Sequence, residues 1–293
     1  MFVHDPHDWL RPLLDTHRSS SFRKALWPTV LIGLLTAVVV AVEVLWLKLP
    51  EGHALKNITV MHTLLGFAIS MLLVFRTNTA YDRWWEGRKL WGSLVNTSRN
   101  LAVKIAAWTV PSDEENRALF AQLIGLFSAE LRDHLLRERT RLELDAAPHP
   151  ELPPIDRDKH VPSQVVFAMQ QRIMRMHREG VFNNEQLIVL NTDVNAFLDI
   201  CGACERIKNT PIPYSYSSFI KKFIVLYSIT LPMGFAFTLA WYAIPVVMFI
   251  FYVLASLELI AEEIEDPFSG DDNDVPMARI STMISSNVKE ILA

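Results

Sequence analysis

The chain has only two cysteines in 293 residues, Cys201 and Cys204, so no disulfide framework is available and neither redox compartment is demanded. An excess of basic charge is missing as well. Lys and Arg total 28 against 32 Asp and Glu, a net charge of −4, whereas a nucleic-acid-binding domain needs a strongly basic surface. The first 21 residues carry Asp5, Asp8, Arg11 and Asp15 and no apolar run, which excludes a cleaved signal peptide there. No nucleotide-binding loop, paired catalytic carboxylates or Ser/His/Asp spacing stands out, so no enzyme class is suggested. Strand-period alternation and internal repeats are also lacking. What the sequence does have is apolar length, with 51% hydrophobic residues gathered into long runs.

A bilayer span needs roughly 20 apolar residues, because the hydrocarbon is about 30 Å thick and a helix rises about 1.5 Å per residue. Leu26 to Leu49 qualifies, with Glu43 as its one acid, and Ile58 to Phe75 qualifies without a charge. Phe223 to Leu257 is too long for one span and is predicted to be two. Pro232, Gly234 and Pro245 offer breaks, and Trp241-Tyr242 stands between the halves as an interfacial pair. Lys and Arg flank the start of span one, the end of span two and the start of span three, placing both termini and the central segment in the cytoplasm.

The segment between spans two and three is too polar for lipid and reads as amphipathic helices over Asn116 to Leu142, Val161 to Arg178 and Glu185 to Ile207. Pro148, Pro150, Pro153, Pro154 and Pro162 fix a loop between the first two. The predicted fold is all-α: four transmembrane helices continuous with a helical cytoplasmic domain. Its divisions are 1–25 (cytoplasmic N-terminal segment), 26–76 (spans one and two), 77–218 (cytoplasmic domain), 219–260 (spans three and four) and 261–293 (acidic C-terminal segment). Cys201 and Cys204, three apart on a helix, share a face. No second Cys or His pair at zinc spacing accompanies them, so they read as ordinary buried residues.

Span two leads without a helix breaker into Arg76-Thr-Asn-Thr-Ala-Tyr-Asp-Arg-Trp-Trp-Glu-Gly-Arg-Lys-Leu-Trp-Gly92. This stretch resembles bacterial members of the bestrophin channel family, as do Gly202-Ala-Cys-Glu-Arg-Ile-Lys-Asn-Thr-Pro-Ile-Pro-Tyr-Ser-Tyr216 and Glu265-Asp-Pro-Phe-Ser-Gly-Asp-Asp-Asn-Asp274. The three segments stand in the family's order, and four spans around a central cytoplasmic region match its layout. The resemblance implies a multi-pass protein of the bacterial inner membrane, a homopentamer among lipids with one axial pore for small monovalent ions. Chloride or another anion is the family default.

The resemblance also implies site residues. Phe67, Met71 and Phe75 would form an apolar neck, and their spacing suits one: four residues turn a helix by about 400°, so the three positions drift by only about 40° each. A ring of apolar side chains gates by dewetting, having nothing to replace an ion's water shell. From periodicity alone, the same residues could instead pack between helices or face lipid. A second, cytoplasmic narrowing would fall near Glu185, with Gln186, Leu187 and Ile188 as neighbouring alternatives. Five Glu185 carboxylates on the axis would favour cations, while a solvated acid at a helix N-terminus is the plainer reading. Glu263, Asp266, Asp271, Asp272 and Asp274 match a calcium-binding segment of eukaryotic relatives, although Ser269 is inserted and part of the longer acidic run is lacking. Read alone, the segment is a solvated acidic turn capping neighbouring helices, and it is no EF-hand. Glu43 is expected to face protein, pore or interface, and His62, at the outer end of span two, to tune pore charge with pH. A secondary transporter and a membrane-anchored signalling protein are the alternatives. The first would usually show inverted repeats, and the second would not need an apolar stripe on span two.

Overall fold

The computed structural model describes residues 20–47, 58–136, 156–157, 159–271 and 273–293. Every regular element among them is helical: α1 (Ser20–Ala41), extended by a π-turn over Val42–Leu47, then α2 (Ile58–Trp108), α3 (Glu114–Leu136), α4 (Val161–Arg178), α5 (Asn184–Asn209), α6 (Tyr214–Leu239), α7 (Ala243–Glu265) and α8 (Met277–Leu292). Pro148, Pro150, Pro153 and Pro154 of the predicted loop and the first 19 residues lie outside the described residues, whereas Pro162 is not in a loop but in the first turn of α4, where its missing N–H has no intrahelical partner to lose.

The chain divides into two compact units. One, the span unit, contains residues up to 83 together with 211–265. The other, the core unit, contains 84–210 and 266–293. Helix α2 is one uninterrupted helix of 51 residues that contributes to both.

In the span unit, α1 packs on α6 and α7, and α6 on α7. The interior is apolar, with Ile32, Ile69, Leu73, Ile220, Ile224, Leu231, Val247 and Phe251 buried together. Hydroxyls along these helices donate to the carbonyl one turn back, as Thr29, Thr36, Thr63, Ser70 and Thr77 do. That closure satisfies these donors where water is absent. Gly66 permits the tightest approach on α2: a Cβ there would stand 2.7 Å from the Tyr227 hydroxyl.

The break between spans three and four falls at Ala240, in the left-handed region at φ 48°, followed by one 3₁₀ turn over Ala240–Tyr242. Trp241 and Tyr242 occupy that turn, as the sequence suggested. Pro232 and Gly234, in contrast, lie inside α6, and Pro245 falls in the first turn of α7, where its missing N–H is an orphan in any case.

The core unit is built the other way round. Trp91, Leu94, Leu101, Phe120, Phe127, Met169, Ile173, Phe197, Ile284 and Val288 are buried in one cluster, with Phe127 and Phe197 edge to face at 4.9 Å between ring centroids. Helix α3 packs on α4 and α8, and α4 on α5. Helix α5 is capped by Asn183 and Gln186 in a reciprocal box, while α4 ends on Gly180 at φ 79°, with the Val181 N–H donating to the Met176 carbonyl. The helix α8 was not anticipated, although Met277, Ile280, Ile284, Val288 and Leu292 recur at helical spacing on its buried face.

Length and composition make four stretches capable of crossing a bilayer: Arg23–Leu47, Ile58–Trp108, Asn184–Asn209 and Tyr214–Glu265. The third is α5, whose apolar residues, Leu190 through Ile207, face the core of its own unit. It also carries Asp193, ion-paired to Lys104 at 2.6 Å, which a helix surrounded by lipid would carry only at a cost of several kcal/mol. The fourth stretch is two helices, α6 and α7. The predicted spans therefore fall on α1, the first half of α2, α6 and α7.

Candidate functional site

The first half of α2 has two faces. His62, Ile69, Leu73, Arg76 and Ala80 are buried. At about 100° per residue, Phe67, Met71 and Phe75 lie on roughly the opposite side, and they are 69%, 45% and 56% exposed. Val60, Leu64 and Val74 extend the same apolar strip. A soluble protein rarely leaves so long a strip uncovered, and such strips mark surfaces meant for lipid, a partner or a passage. Among the described residues, the chain leaves about half or more of each neck candidate uncovered, Met71 least.

The buried face carries chemistry that the sequence reading passed over. Arg76, one of the basic residues that follow span two, has no exposed surface. Its guanidinium pairs with Glu265 at 2.6 Å and, through Nε, stands 3.6 Å from Glu258. Glu265 is held from several sides: the Ile212 N–H donates to its carboxylate at 2.8 Å, and Arg83 Nε–H donates to its backbone carbonyl at 3.0 Å. An arginine taken wholly out of water needs such partners, because an unpaired buried charge costs several kcal/mol. Its heptad register with Ile69 and Leu73 is the signal that would have placed it inside.

His62 is not on the exposed strip. Its Nδ1 stands 2.9 Å from the Ile58 carbonyl and its Nε2 3.1 Å from Thr230 Oγ1, with Tyr227 tilted against the ring at 5.9 Å. It joins α2 to α6, and the expectation that it tunes pore charge is withdrawn because the ring is buried between helices. Glu43 lies in the π-turn with Oε2 buried and without a hydrogen-bond partner.

In the core unit, Glu185 is exposed in the first turn of α5, where the helix dipole favours an acid. Ile188, one turn on, is 68% exposed, a large apolar side chain left uncovered beside it. Cys201 and Cys204 are buried, as expected. Burial, aided by the charge of Glu205, pushes the Cys201 thiol up to about 12 and the Cys204 thiol higher still, so neither is a reactive thiolate.

The acidic turn is closed on itself. Asp274 Oδ2 accepts from Ser269 Oγ at 2.8 Å, Gly270 N–H at 2.5 Å and Asp271 N–H at 2.9 Å, with Gly270 at φ 96° completing the bend. Asp266 accepts from the Phe268 N–H at 3.1 Å. The Trp84 indole donates to the Asn273 carbonyl, and Phe268 and Pro267 press on Gly87, where a Cβ would stand 3.0 Å from Pro267. Burial raises the Asp274 carboxyl above its ordinary value, an effect that the three donors reduce without cancelling. Calcium wants six to eight converging oxygens. Among the described residues no three carboxylates of this turn converge; Glu263 lies on α7, in the other unit, and Asp272 lies outside the described residues.

Comparison with known proteins agrees with the motifs. A family described as bacterial/fungal bestrophin protein matches residues 1–290. A Ralstonia nicotianae protein named voltage-dependent anion channel-forming protein is 30% identical over 292 residues, covering 98% of this chain and 93% of its own. A Nostoc relative of the same name is 34% identical over 251 residues, 84% of this chain and 80% of its own. Among solved structures, a variant of a bacterial bestrophin homologue from Klebsiella pneumoniae superposes with a TM-score of 0.83 at 23% identity, covering 94% of this chain and 99% of that one.

Proposed function

The chain belongs to the bacterial and fungal bestrophin family and is a membrane-embedded, pore-forming ion channel rather than an enzyme, and from that premise we propose a passive homopentameric pore for small monovalent ions, gated at Phe67, Met71 and Phe75. The observation that carries this reading is the uncovered apolar strip of α2, set opposite the face that holds Ile69, Leu73 and Arg76. Five copies with these strips turned inward would enclose a path whose narrowest rings are aromatic or thioether. Such rings hold water only transiently and pass an ion only when wetted.

The pore crosses a bacterial inner membrane through α1, the first half of α2, α6 and α7, with both termini cytoplasmic. The basic flanks of these helices support that orientation. Anion conduction is the primary reading, supported by the names of the Ralstonia and Nostoc relatives. Cation preference is the second, favoured by the exposed Glu185, with Ile188 beside it as the apolar part of a second narrowing. Calcium has no part in the proposal, and the acidic turn is read as a structural clamp on α2 at Gly87.

Purified protein in planar bilayers tests the proposal. Unitary current steps are expected, and Phe67→Ala, Met71→Ala and Phe75→Ala should each raise conductance or open probability by widening the neck and easing its wetting. Slow, saturable, coupled flux without unitary steps would instead indicate a transporter. Three silent substitutions in an intact oligomer would remove the neck. The reversal potential in a salt gradient fixes the sign of the carried charge, and Glu185→Gln should shift it toward anions if that side chain lines the path.

A further inference from the structure

Helix α3 ends one residue after Leu135, the loop before α4 begins far along the sequence, and α5 lies further on still, yet the fold brings one donor from each place together. His134 Nε2 stands 2.6 Å from Glu205 Oε1, and His160 Nε2 stands 2.7 Å from the same oxygen. The two imidazoles meet edge to face, 4.7 Å between centroids. The three donor atoms lie within 4.8 Å of one another, where the ligands of a tetrahedral zinc ion stand roughly 3.3 Å apart. All three side chains are about one-third exposed, so an ion has access from water.

We propose that His134, His160 and Glu205 form a binding site for a first-row divalent cation of the zinc type, with water completing the shell. Two imidazoles and one carboxylate suit zinc, whose sites with an open position use such three-ligand sets, better than they suit calcium or magnesium, which require oxygen.

Two features point to a metal beyond an ordinary hydrogen-bonded network. His160 occupies the N-cap of α4, where Ser, Thr, Asp or Asn caps best. The imidazole caps through Nδ1, which accepts from the Ser163 N–H at 3.2 Å, and leaves Nε2 directed at Glu205. Its Nδ1 also lies 2.6 Å from Ser163 Oγ. When Nε2 binds an ion, the ring proton moves to Nδ1, which then donates to that hydroxyl in place of accepting the cap bond from the Ser163 N–H; a donor contact of this kind orients metal-bound histidines. Glu205 is suited as the anionic ligand. Its Oε1 already stands between the two imidazoles, 2.6 Å from His134 Nε2 and 2.7 Å from His160 Nε2. The ion would tie the last turn of α3 and the first turn of α4 to α5, all within the core unit.

The experiment uses the full-length, tag-free protein in detergent, stripped with a chelator and dialysed against micromolar zinc. One zinc per chain is expected by elemental analysis, with a rise in melting temperature through ligand linkage. His160→Ala and Glu205→Gln should each weaken binding by at least about ten-fold. Cobalt(II) added to the unmodified protein should give the intense visible absorption of a low-coordinate site, a readout that needs no variant to fold. Substoichiometric zinc, binding unchanged in both variants, or a cobalt spectrum no different from the aqueous ion would overturn the site.

Discussion

The two units of this protein solve opposite problems with the same helices. The core unit buries Phe127, Phe197 and Trp91 and turns charge outward; the span unit buries Arg76 against Glu265 and turns Phe67, Leu64 and Val60 outward. Water explains the first arrangement, because removing apolar area from it is the main driving force of folding. In lipid that force vanishes between apolar surfaces, and buried polar pairs with tight small-residue contacts take over. In the span unit, exposed hydrophobicity is therefore ordinary and a buried charge is informative; in the core unit apolar burial is ordinary and polar clusters gathered from separate elements are informative. Fully buried Arg76 and the His134–His160–Glu205 cluster are the informative features of the two units, each on its own rule.

The sharpest way to break this comparison is to exchange the currencies. Phe127→Ala should cost about 3–5 kcal/mol of stability, the range for an aromatic deleted from a packed core, and Arg76→Met about the same, because the buried Glu258 carboxylate would lose the cation beside it and Glu265 its ion pair. Phe67→Ala, although it deletes the same ring as Phe127→Ala, should cost less than about 1 kcal/mol while altering conduction. Thermal and denaturant unfolding of the detergent-solubilised oligomer would rank them. If Phe67→Ala were as costly as Phe127→Ala, the strip on α2 would be a packed interface rather than a gate. If Arg76→Met were neutral, the buried pair would have no structural role. A smaller effect, about 1–3 kcal/mol of overpacking, is expected of Gly66→Ala, whose methyl must displace the Tyr227 hydroxyl. The loss should be relieved in the Tyr227→Phe background.

How much of this was legible in the sequence follows from the same division. Long apolar runs announce spans directly, and the heptad of α2 separates Ile69 and Leu73 from Phe67 and Met71; periodicity gives the face, and only the family resemblance proposes it as a neck. The burial of Arg76 was not anticipated because a basic residue just past an apolar run normally marks the membrane surface, and only its Glu partners, 182 and 189 residues further on, pull it inside. The zinc-type cluster was invisible for a related reason. Ligand spacing detects pairs on one element, whereas His134, His160 and Glu205 come from three. The helix α8 was overlooked beneath the acidic turn that precedes it, although its apolar period is plain. The break at Ala240 was signalled by Trp241-Tyr242 and not by the prolines, which fall at positions that an apolar helix tolerates.

The smallest expected effect concerns that acidic turn. Burial holds the Asp274 carboxyl above its ordinary value near 3.8, so the folded protein binds this proton more tightly than the unfolded chain does. The sign follows from linkage: this group favours folding most below its ordinary value, and that contribution is lost as pH rises through the window between the ordinary and the raised value. Compared across about pH 3 to pH 7, the unfolding free energy of the native protein should therefore fall relative to that of Asp274→Asn and then run parallel to it. Calcium reverses the logic. An ion on the Asp274 carboxylate would depress its proton affinity, and the native protein would gain on the variant as pH rises. Adding millimolar calcium should leave the difference curve unchanged, because Oδ2 is already engaged by Ser269, Gly270 and Asp271. A curve that inverts with calcium would mean that the turn opens to take the ion, and that its closed form is only the apo state of a ligand site.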